Sequence, residues 1–212
     1  MIDDNWELLN GPAAHHIEQL NSISAINVLE ALVTFLIASR PAGSPYPMMP
    51  NAGGLCELHR SSTLFLLHRP GEYRDIEVNV QDLVTGEVVF QPPPCSEVPR
   101  WMEDFFNELG KLWTSGDALD VASFVLWRVN WIHPFKNGNG RTARAFAYAC
   151  LCARLGVILP GRTTVIDQIM RSRPAYEAAI RAADQAAVQG QRNLAPMKQY
   201  LNGLLQIQMA SI

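Results

Sequence analysis

The sequence predicts a mainly α-helical fold with one β-hairpin. Apolar residues recur at helical spacing over most of the chain, a single segment alternates polar and apolar residues, and no repeat of about 20 to 50 residues is present. Apolar residues make up 48% of the 212 residues and charged residues 17%, which is enough buriable surface for one domain. We therefore expect a single domain over residues 1–212.

The chain begins with helical patterns. Residues 14–40 are rich in Ala, Leu, Ile and Val and predict one or two helices within an N-terminal helical segment, residues 1–40. The connector at 40–50 holds four prolines, which no helix tolerates. A further helical pattern over 53–68 ends at Pro70–Gly71, where proline removes a backbone donor.

One segment has the pattern of a β-hairpin. Residues 75–80 alternate polar and apolar side chains, and 87–90 follow a turn at Thr85–Gly86. A hairpin over about Ile76 to Phe90 is therefore expected. A proline-rich run over 91–99 then breaks regular structure before a helix with a stripe of aromatic residues.

The remainder of the sequence reads as helices. Asp117 is a predicted N-cap, and His133–Pro134 ends that helix because proline disfavours the α conformation of the preceding residue. Another helix begins after Gly140 and ends at Gly156, a natural C-cap. The last two helical patterns cover about residues 172–188 and 195–210.

Charge and cysteine content narrow the class of protein. The net charge of −3 offers no broad basic surface, so nucleic acid is not an expected partner. The 4 cysteines form no pattern typical of disulfides or zinc, which favours a reducing compartment. The N-terminus is acidic, and we expect no apolar run near the roughly 18 to 20 residues of a membrane span. A cytoplasmic protein without membrane contact is expected, and delivery by a dedicated secretion machine stays open.

Three histidines outside the main motif have simple explanations. His15–His16 are adjacent, point in different directions on a helix and are expected at the surface. Cys56 and His59 share a helix face but have no further ligands nearby in the sequence. This pair predicts a buried thiol and a core histidine with satisfied hydrogen bonds, not a zinc site.

Residues 133–144 concentrate the groups that handle phosphate. This loop reads HPFKNGNGRTAR and lies between two predicted helices. Glycines at 138 and 140 allow backbone N–H groups to converge at a helix N-terminus, where the helix dipole also favours an anion. Arg141 and Arg144 are three positions apart, so both guanidinium groups reach one face. The pattern predicts a polyphosphate site.

His133 precedes this phosphate site. An imidazole with a pKa near neutrality commonly accepts the proton of an attacking hydroxyl. We expect Phe135 to anchor the loop in the core and Asn139 to offer an amide donor to a phosphoryl oxygen. The residues thus predict attack of a hydroxyl on a bound nucleotide phosphate, and the alternative is a tight interhelical turn with arginine caps.

The loop resembles the motif of the Fic (filamentation induced by cAMP) family, HPFx[D/E]GNGRxxR. The likeness extends to Pro70–Arg74, to the hairpin and prolines after it, and to the tyrosine-containing segment at 173–179. It covers about residues 53–205. The resemblance implies a Fic-like helical bundle in which the hairpin is a flap over the active site.

A Fic-like domain implies a protein adenylyltransferase. His133 would be the general base that activates a Ser, Thr or Tyr hydroxyl of a target protein for attack on the α-phosphate of ATP, so that AMP is transferred and pyrophosphate leaves. The nucleotide would be held by Asn137, Gly138, Asn139, Gly140, Arg141 and Arg144. The flap residues Ile76, Glu77, Val78 and Asn79 would hold the target segment by strand addition.

The sequence departs from the family motif at Asn137, where Asp or Glu would bind Mg²⁺ or Mn²⁺ together with the nucleotide. A carboxamide oxygen can ligate a hard cation but brings no charge. Three interpretations stay open: a slower adenylyltransferase, a transferase with another nucleotide or phosphate-linked donor, and a weakly catalytic nucleotide-binding protein of a toxin–antitoxin pair. Retention of His133 argues against the last.

The resemblance also bears on regulation and partners. Many family members carry an inhibitory [S/T]xxxE[G/N] helix, but here Ile26 stands where its Glu is needed, and Glu30 is out of register. We therefore expect no autoinhibition, with restraint coming from a separate antitoxin-like protein or from Asn137. The expected partners are the target protein and, as the family permits, a second copy of the chain.

Overall fold

The computed structural model describes residues 7–9, 11–82 and 85–212. The described residues form eight α-helices and one two-stranded antiparallel sheet, which confirms the mainly α prediction. The elements are α1 (Gly11–Ala38), α2 (Ala52–Thr63), β1 (Val80–Gln81), β2 (Val88–Phe90), α3 (Val98–Ser115), α4 (Ala118–Ile132), α5 (Asn139–Leu155), α6 (Val165–Arg171), α7 (Arg173–Val188) and α8 (Ala195–Met209).

Helices α4 and α5 pack side by side at the centre of the fold. The N-terminal helices α1 and α2 cover α5, while α3 and α8 cover α4. Large aromatic side chains fill the space between them: Phe105, Phe124, Phe135 and Phe146 are all 0% exposed. The loop between α4 and α5, residues 133–138, is therefore held at both ends by the best-packed helices.

Local capping explains where the central helices begin and end. Asp117 forms the predicted N-cap of α4, with its carboxylate accepting from Leu119 and Asp120 N–H groups in a capping box. Gly156 ends α5 in the left-handed conformation, with φ of 75°. The start of α4 and the end of α5 were both predicted from the sequence.

The structure differs from the sequence predictions at three elements. Helix α2 ends at Thr63 and not at His68, because Phe65 has a left-handed φ of 62° and the N–H groups of Leu66 and Leu67 turn back to Thr63 O. The paired hairpin strands are only 2 and 3 residues long, so residues 75–79 are irregular. Helix α6 was not predicted, since a 7-residue helix is too short for periodicity to be seen.

Helix α1 is long and apolar. It is a single helix of 28 residues with Glu18 and Glu30 as its charged side chains. Among the described helices it alone could cross a membrane by length and composition, although 22% of its most apolar window is buried within this fold. Core helices and signal sequences have the same character. The expectation of no apolar run near that length was therefore wrong, because two isolated acids hardly lower the hydropathy of the run.

Candidate functional site

A groove of about 410 Å³ separates the hairpin from the loop after α4. Its walls are formed by residues 77–81 of the hairpin on one side and by His133, Lys136 and Asn137 on the other. The structure thus brings three of the four predicted flap residues, Glu77 to Asn79, beside the predicted base. The fourth, Ile76, is half-buried, and its carbonyl oxygen accepts a hydrogen bond from Arg74.

His133 ends α4 in a left-handed conformation, with φ of 52° and ψ of 58°. Its N–H still donates to Val129 O, so the helix continues up to the imidazole and then turns sharply. His133 Nδ1 lies 3.2 Å from Asn130 O. Because a carbonyl oxygen only accepts, this contact places the ring proton on Nδ1 and leaves the lone pair of Nε2 free to accept a proton.

Burial keeps the His133 imidazole neutral. Desolvation is the main cause that lowers the pKa of His133 to about 4, and the positive charge of Arg74 acts in the same direction. The group is therefore unprotonated at neutral pH. An anion bound nearby would raise this pKa towards neutrality, because it favours the imidazolium form.

The loop after His133 is clamped by its own side chains. Asn139 Oδ1 accepts from Phe135 N–H at 2.8 Å, and Asn139 Nδ2 donates to Phe135 O at 2.7 Å. Phe135 is fully buried and stacks on His59, with ring centroids 3.8 Å apart. Phe135 is thus the anchor that the sequence predicted. The Asn139 carboxamide closes the loop, so a phosphate would be met by its backbone N–H.

Backbone N–H groups of the first turn of α5 lie where the sequence predicts an anion site. Gly138 is the N-cap of this helix with φ of 78°, and the N–H groups of Asn139, Gly140 and Arg141 have no intrahelical acceptor by the geometry of a helix start. A Cβ atom on Gly138 would lie 2.8 Å from Thr63 Cγ2. Glycine is therefore required at 138 for both conformation and space.

His59 is a loop-positioning residue that sequence analysis described only as a core histidine. Gly71 N–H donates to His59 Nδ1 at 2.8 Å, so the ring proton is on Nε2, which donates to Asn137 O at 2.9 Å. The side chain is 0% exposed, and burial lowers the pKa of His59 to about 4. Both nitrogens of the neutral imidazole thus have hydrogen-bond partners, and the ring fixes the Asn137 carbonyl, which directly precedes Gly138.

Asn137 offers poor ligands for a cation. Its side chain is exposed, and its Oδ1 accepts from Gly138 N–H at 2.6 Å. The described residues contain no cluster of three or more His, Cys, Asp and Glu side chains that could hold a metal ion. A single neutral oxygen already engaged with the backbone does not fit the hard, charged donor set that Mg²⁺ prefers. The metal role of Asn137 stays a prediction that this donor set does not support.

Arg141 and Arg144 line a second cavity, of about 380 Å³, between α1 and α5. Arg144 is largely buried, which lowers its pKa, and its Nε has no hydrogen-bond partner among the described residues. A buried cation with an unsatisfied donor is costly, so this guanidinium favours an anionic partner. The two arginines share a face, as predicted, and they lie on the α1 side of α5 and not on the side of the hairpin.

Glu18 is a contact that the sequence did not indicate. Its Oε1 lies 2.9 Å from Arg141 Nη1, across 123 positions of the chain. The two side chains are 45% and 34% exposed, so the pair contributes only about 0 to 1 kcal/mol. Glu30 lines the same cavity without an ion pair to either arginine in the described contacts. Helix α1 thus places a carboxylate on the first arginine of the motif, and the expected absence of autoinhibition stays a prediction.

Comparisons with known proteins identify related folds. Residues 51–151 match the model of the Fic/DOC family. No curated protein matches the sequence. The chain is similar to a Fic family protein from Desulfovibrio desulfuricans G20, with 23% identity, a TM-score of 0.66, and coverage of 95% of this chain and 54% of that one. It is also similar to Fic-1 (amino acids 134–508) from C. elegans, with 17% identity, a TM-score of 0.67, and coverage of 95% and 53%.

A third similar structure contains a nucleotide analogue. BepC, a VirB-translocated effector from Bartonella tribocorum solved with bound AMPPNP, has 16% identity and a TM-score of 0.54, and the match covers 90% of this chain and 86% of that one. At these identities the structural likenesses show the fold. The chain spans about half the length of the first two structures.

Proposed function

From the Fic/DOC family domain at residues 51–151, we propose that the chain transfers AMP from ATP to a Ser, Thr or Tyr hydroxyl of a target protein. The observation that carries the proposal is the neutral His133 imidazole, with Nε2 free, in a groove beside the hairpin and close to the start of α5. A base next to an anion site is the arrangement that phosphoryl attack by a hydroxyl requires.

The proposed step is a direct displacement at the α-phosphorus. The target hydroxyl gives its proton to His133 Nε2, and its oxygen forms a bond to the α-phosphorus. The bond between the α-phosphorus and the bridging oxygen to the β-phosphate breaks, and pyrophosphate leaves. The first-turn N–H groups of α5 stabilise the charge on the phosphoryl oxygens. Phosphate charge near His133 raises its pKa during binding, which strengthens the base when it is needed.

The groove supplies the position of the target. An extended segment that pairs with the edge of the hairpin would place its hydroxyl between Asn79 and His133, both of which line the groove. Lys136 lines this groove, and its Nζ lies 2.6 Å from Asp75 Oδ1. Backbone pairing fixes the segment, while these side chains set which sequences fit.

The nucleotide and metal requirements are part of the proposal. The AMPPNP bound to BepC supports an adenine nucleotide as donor. Asn137 offers a metal ion a single neutral oxygen, which already accepts from Gly138 N–H. Mg²⁺ or Mn²⁺ would accompany the triphosphate. A separate inhibitory protein and a homodimer stay predictions of the sequence.

A second candidate function follows from Asn137 itself. Without a charged metal ligand, the loop is less specialised for a metal-bound triphosphate, which favours a different nucleotide or phosphate-linked donor on the same base and anion site. A Fic-fold protein that binds nucleotide with weak or no turnover is the remaining alternative. In both cases the cavity beside Arg144 still receives phosphate.

Labelling with ATP separates these functions. Purified protein and a cell lysate containing it are incubated with α-labelled and, separately, γ-labelled ATP, and the products are analysed by autoradiography and intact mass. We expect label from the α-phosphate only, and no label with His133→Ala. Label from the γ-phosphate alone would indicate kinase chemistry. Stabilisation by nucleotide without any label would indicate a binding protein. The Asn137→Asp variant shows whether a carboxylate at this position adds metal-dependent rate.

A further inference from the structure

Arg74 is a buried arginine that no predicted role accounts for. The residue is 3% exposed, and its guanidinium donates to backbone carbonyl oxygens and pairs with the Glu77 carboxylate. Nε donates to His133 O at 2.8 Å, and Nη2 reaches Ile132 O at 3.5 Å. The backbone N–H of Arg74 adds a bond to Pro134 O at 2.8 Å. One residue therefore contacts three consecutive carbonyls where α4 ends.

The same guanidinium holds the base of the hairpin. Nη1 donates to Ile76 O at 3.3 Å, and Nη2 donates to Pro93 O at 2.5 Å. These carbonyls lie on the chain entering the hairpin and on the chain leaving it. Glu77, which lines the groove, lies 3.5 Å from Nη1 and is exposed. The guanidinium thus links both ends of the flap to the residue that carries the imidazole.

Physical chemistry explains why an arginine suits this position. The last carbonyls of a helix have no intrahelical partner and carry the negative end of the helix dipole, so a cation there is favourable. Burying a guanidinium is costly unless each of its N–H donors has an acceptor. Moving one of the acceptor carbonyls away would leave a buried donor unpaired, so the carbonyls are held in one arrangement. The planar fork of an arginine can reach carbonyls on both sides at once, which a lysine cannot do.

We infer that Arg74 is a positioning residue that holds the His133 imidazole and the base of the flap in one fixed arrangement. The inference rests on the proposed function, because the flap would hold the target hydroxyl and His133 would accept its proton. A displacement of about 1 Å between such groups can cost about 100-fold in rate. Arg74 touches neither the first turn of α5 nor the arginines of the second cavity in the described contacts.

Kinetics with Arg74 variants of the full chain provide the first measurement. We expect Arg74→Gln to lower the rate at which a cell lysate is labelled from α-labelled ATP about 100-fold, while the KM for ATP changes less than about threefold. Arg74→Lys keeps the charge but loses the fork, and we expect it to recover part of the rate. Arg154→Gln is the matched control, because Arg154 is also largely buried and donates to a helix-end carbonyl, that of Gly116, near the far end of α5.

An NMR measurement checks the positioning without any turnover. In the intact protein, we expect the ¹⁵N shifts of the His133 ring to show one tautomer, with the proton on Nδ1. Arg74→Gln should give a mixture of tautomers, and Arg154→Gln should leave the single form. If Arg74→Gln does not fold, Arg74→Lys is measured in its place.

The possible outcomes separate the two proposals. A folded Arg74 variant that keeps both the rate and the single tautomer would overturn the positioning role. Equal losses in the Arg74 and Arg154 variants would also overturn it, since they indicate general destabilisation. If the wild-type protein labels nothing but the tautomer changes only in Arg74 variants, the proposed function fails and the positioning role stands.

Discussion

His59 should make the stability of this protein depend on pH below neutrality. Its imidazole is 0% exposed, and burial lowers its pKa from 6.5 to about 4 in the folded state. Below pH 6.5 the unfolded chain binds a proton at this position, while the folded chain does so only near pH 4. Because the unfolded state then binds more protons, the free energy of unfolding falls as the pH falls through this window.

The size of the effect follows from the shift. Each pKa unit corresponds to about 1.36 kcal/mol, so the His59 contribution that is present at pH 7 decreases by ~3 kcal/mol by pH 4. This is a large share of the roughly 5 to 15 kcal/mol that stabilises a typical domain. Urea denaturation of the wild type and of His59→Gln at pH 7, 6, 5 and 4 measures it, because Gln does not titrate.

The quantity compared is the unfolding free energy of the wild type minus that of His59→Gln at each pH. We expect this difference to fall by ~3 kcal/mol from pH 7 to pH 4, whatever the substitution costs at pH 7. A His59→Gln curve parallel to the wild type would refute the conclusion that His59 is buried in its neutral form.

Three further predictions address the loop and its neighbours. Glu18→Gln should tighten ATP binding by no more than about fivefold, since a half-exposed ion pair contributes about 0.2 to 1 kcal/mol. A gain of 100-fold in ATP affinity, measured by calorimetry, would instead show strong autoinhibition. Gly138→Ala should lower the free energy of unfolding more than Gly190→Ala does. Both glycines have a positive φ, but an added Cβ at Gly190 would have no atom within 4 Å. Equal losses, each near 1 to 2 kcal/mol, would rule out a clash of the added Cβ at position 138. Asn139→Ala leaves the N–H and C=O groups of Phe135 without their side-chain partner. The free energy of unfolding in chemical denaturation should fall by about 1 to 3 kcal/mol for each group. A variant as stable as the wild type would contradict the loop-closing role of Asn139.

The sequence indicated the loop and its flanking helices because their signals are local. The N-cap at Asp117, the stop at His133 and the C-cap at Gly156 each depend on the conformational preferences of one or two residues, and the structure places all three as predicted. The anchoring of Phe135 followed from an apolar side chain within a polar loop. Such features hold wherever the segment lies in the fold.

Two of the errors in the predicted fold lie where distant segments make contact. The hairpin strands are shorter than the alternating pattern suggested because Arg74 and Glu77 bind the backbone of Pro93 and Cys95, which takes residues before Val80 out of the ladder. Helix α2 stops at Thr63 in a turn, and just beyond that turn Leu67 pairs with Glu7. Neither contact leaves a trace in local periodicity.

The sequence by itself determined the candidate groups of the loop: a histidine, two glycines and two arginines within 12 residues, at the start of a helix whose free N–H groups suit an anion. Only the tertiary structure decided how that loop is held and approached. His59 reaches Asn137 across 78 positions, Arg74 reaches His133 across 59, and Glu18 reaches Arg141 across 123. The conformation at the start of the loop follows from neighbouring residues. The partners of a buried charge or imidazole depend on how distant segments pack together, which local sequence patterns do not reveal.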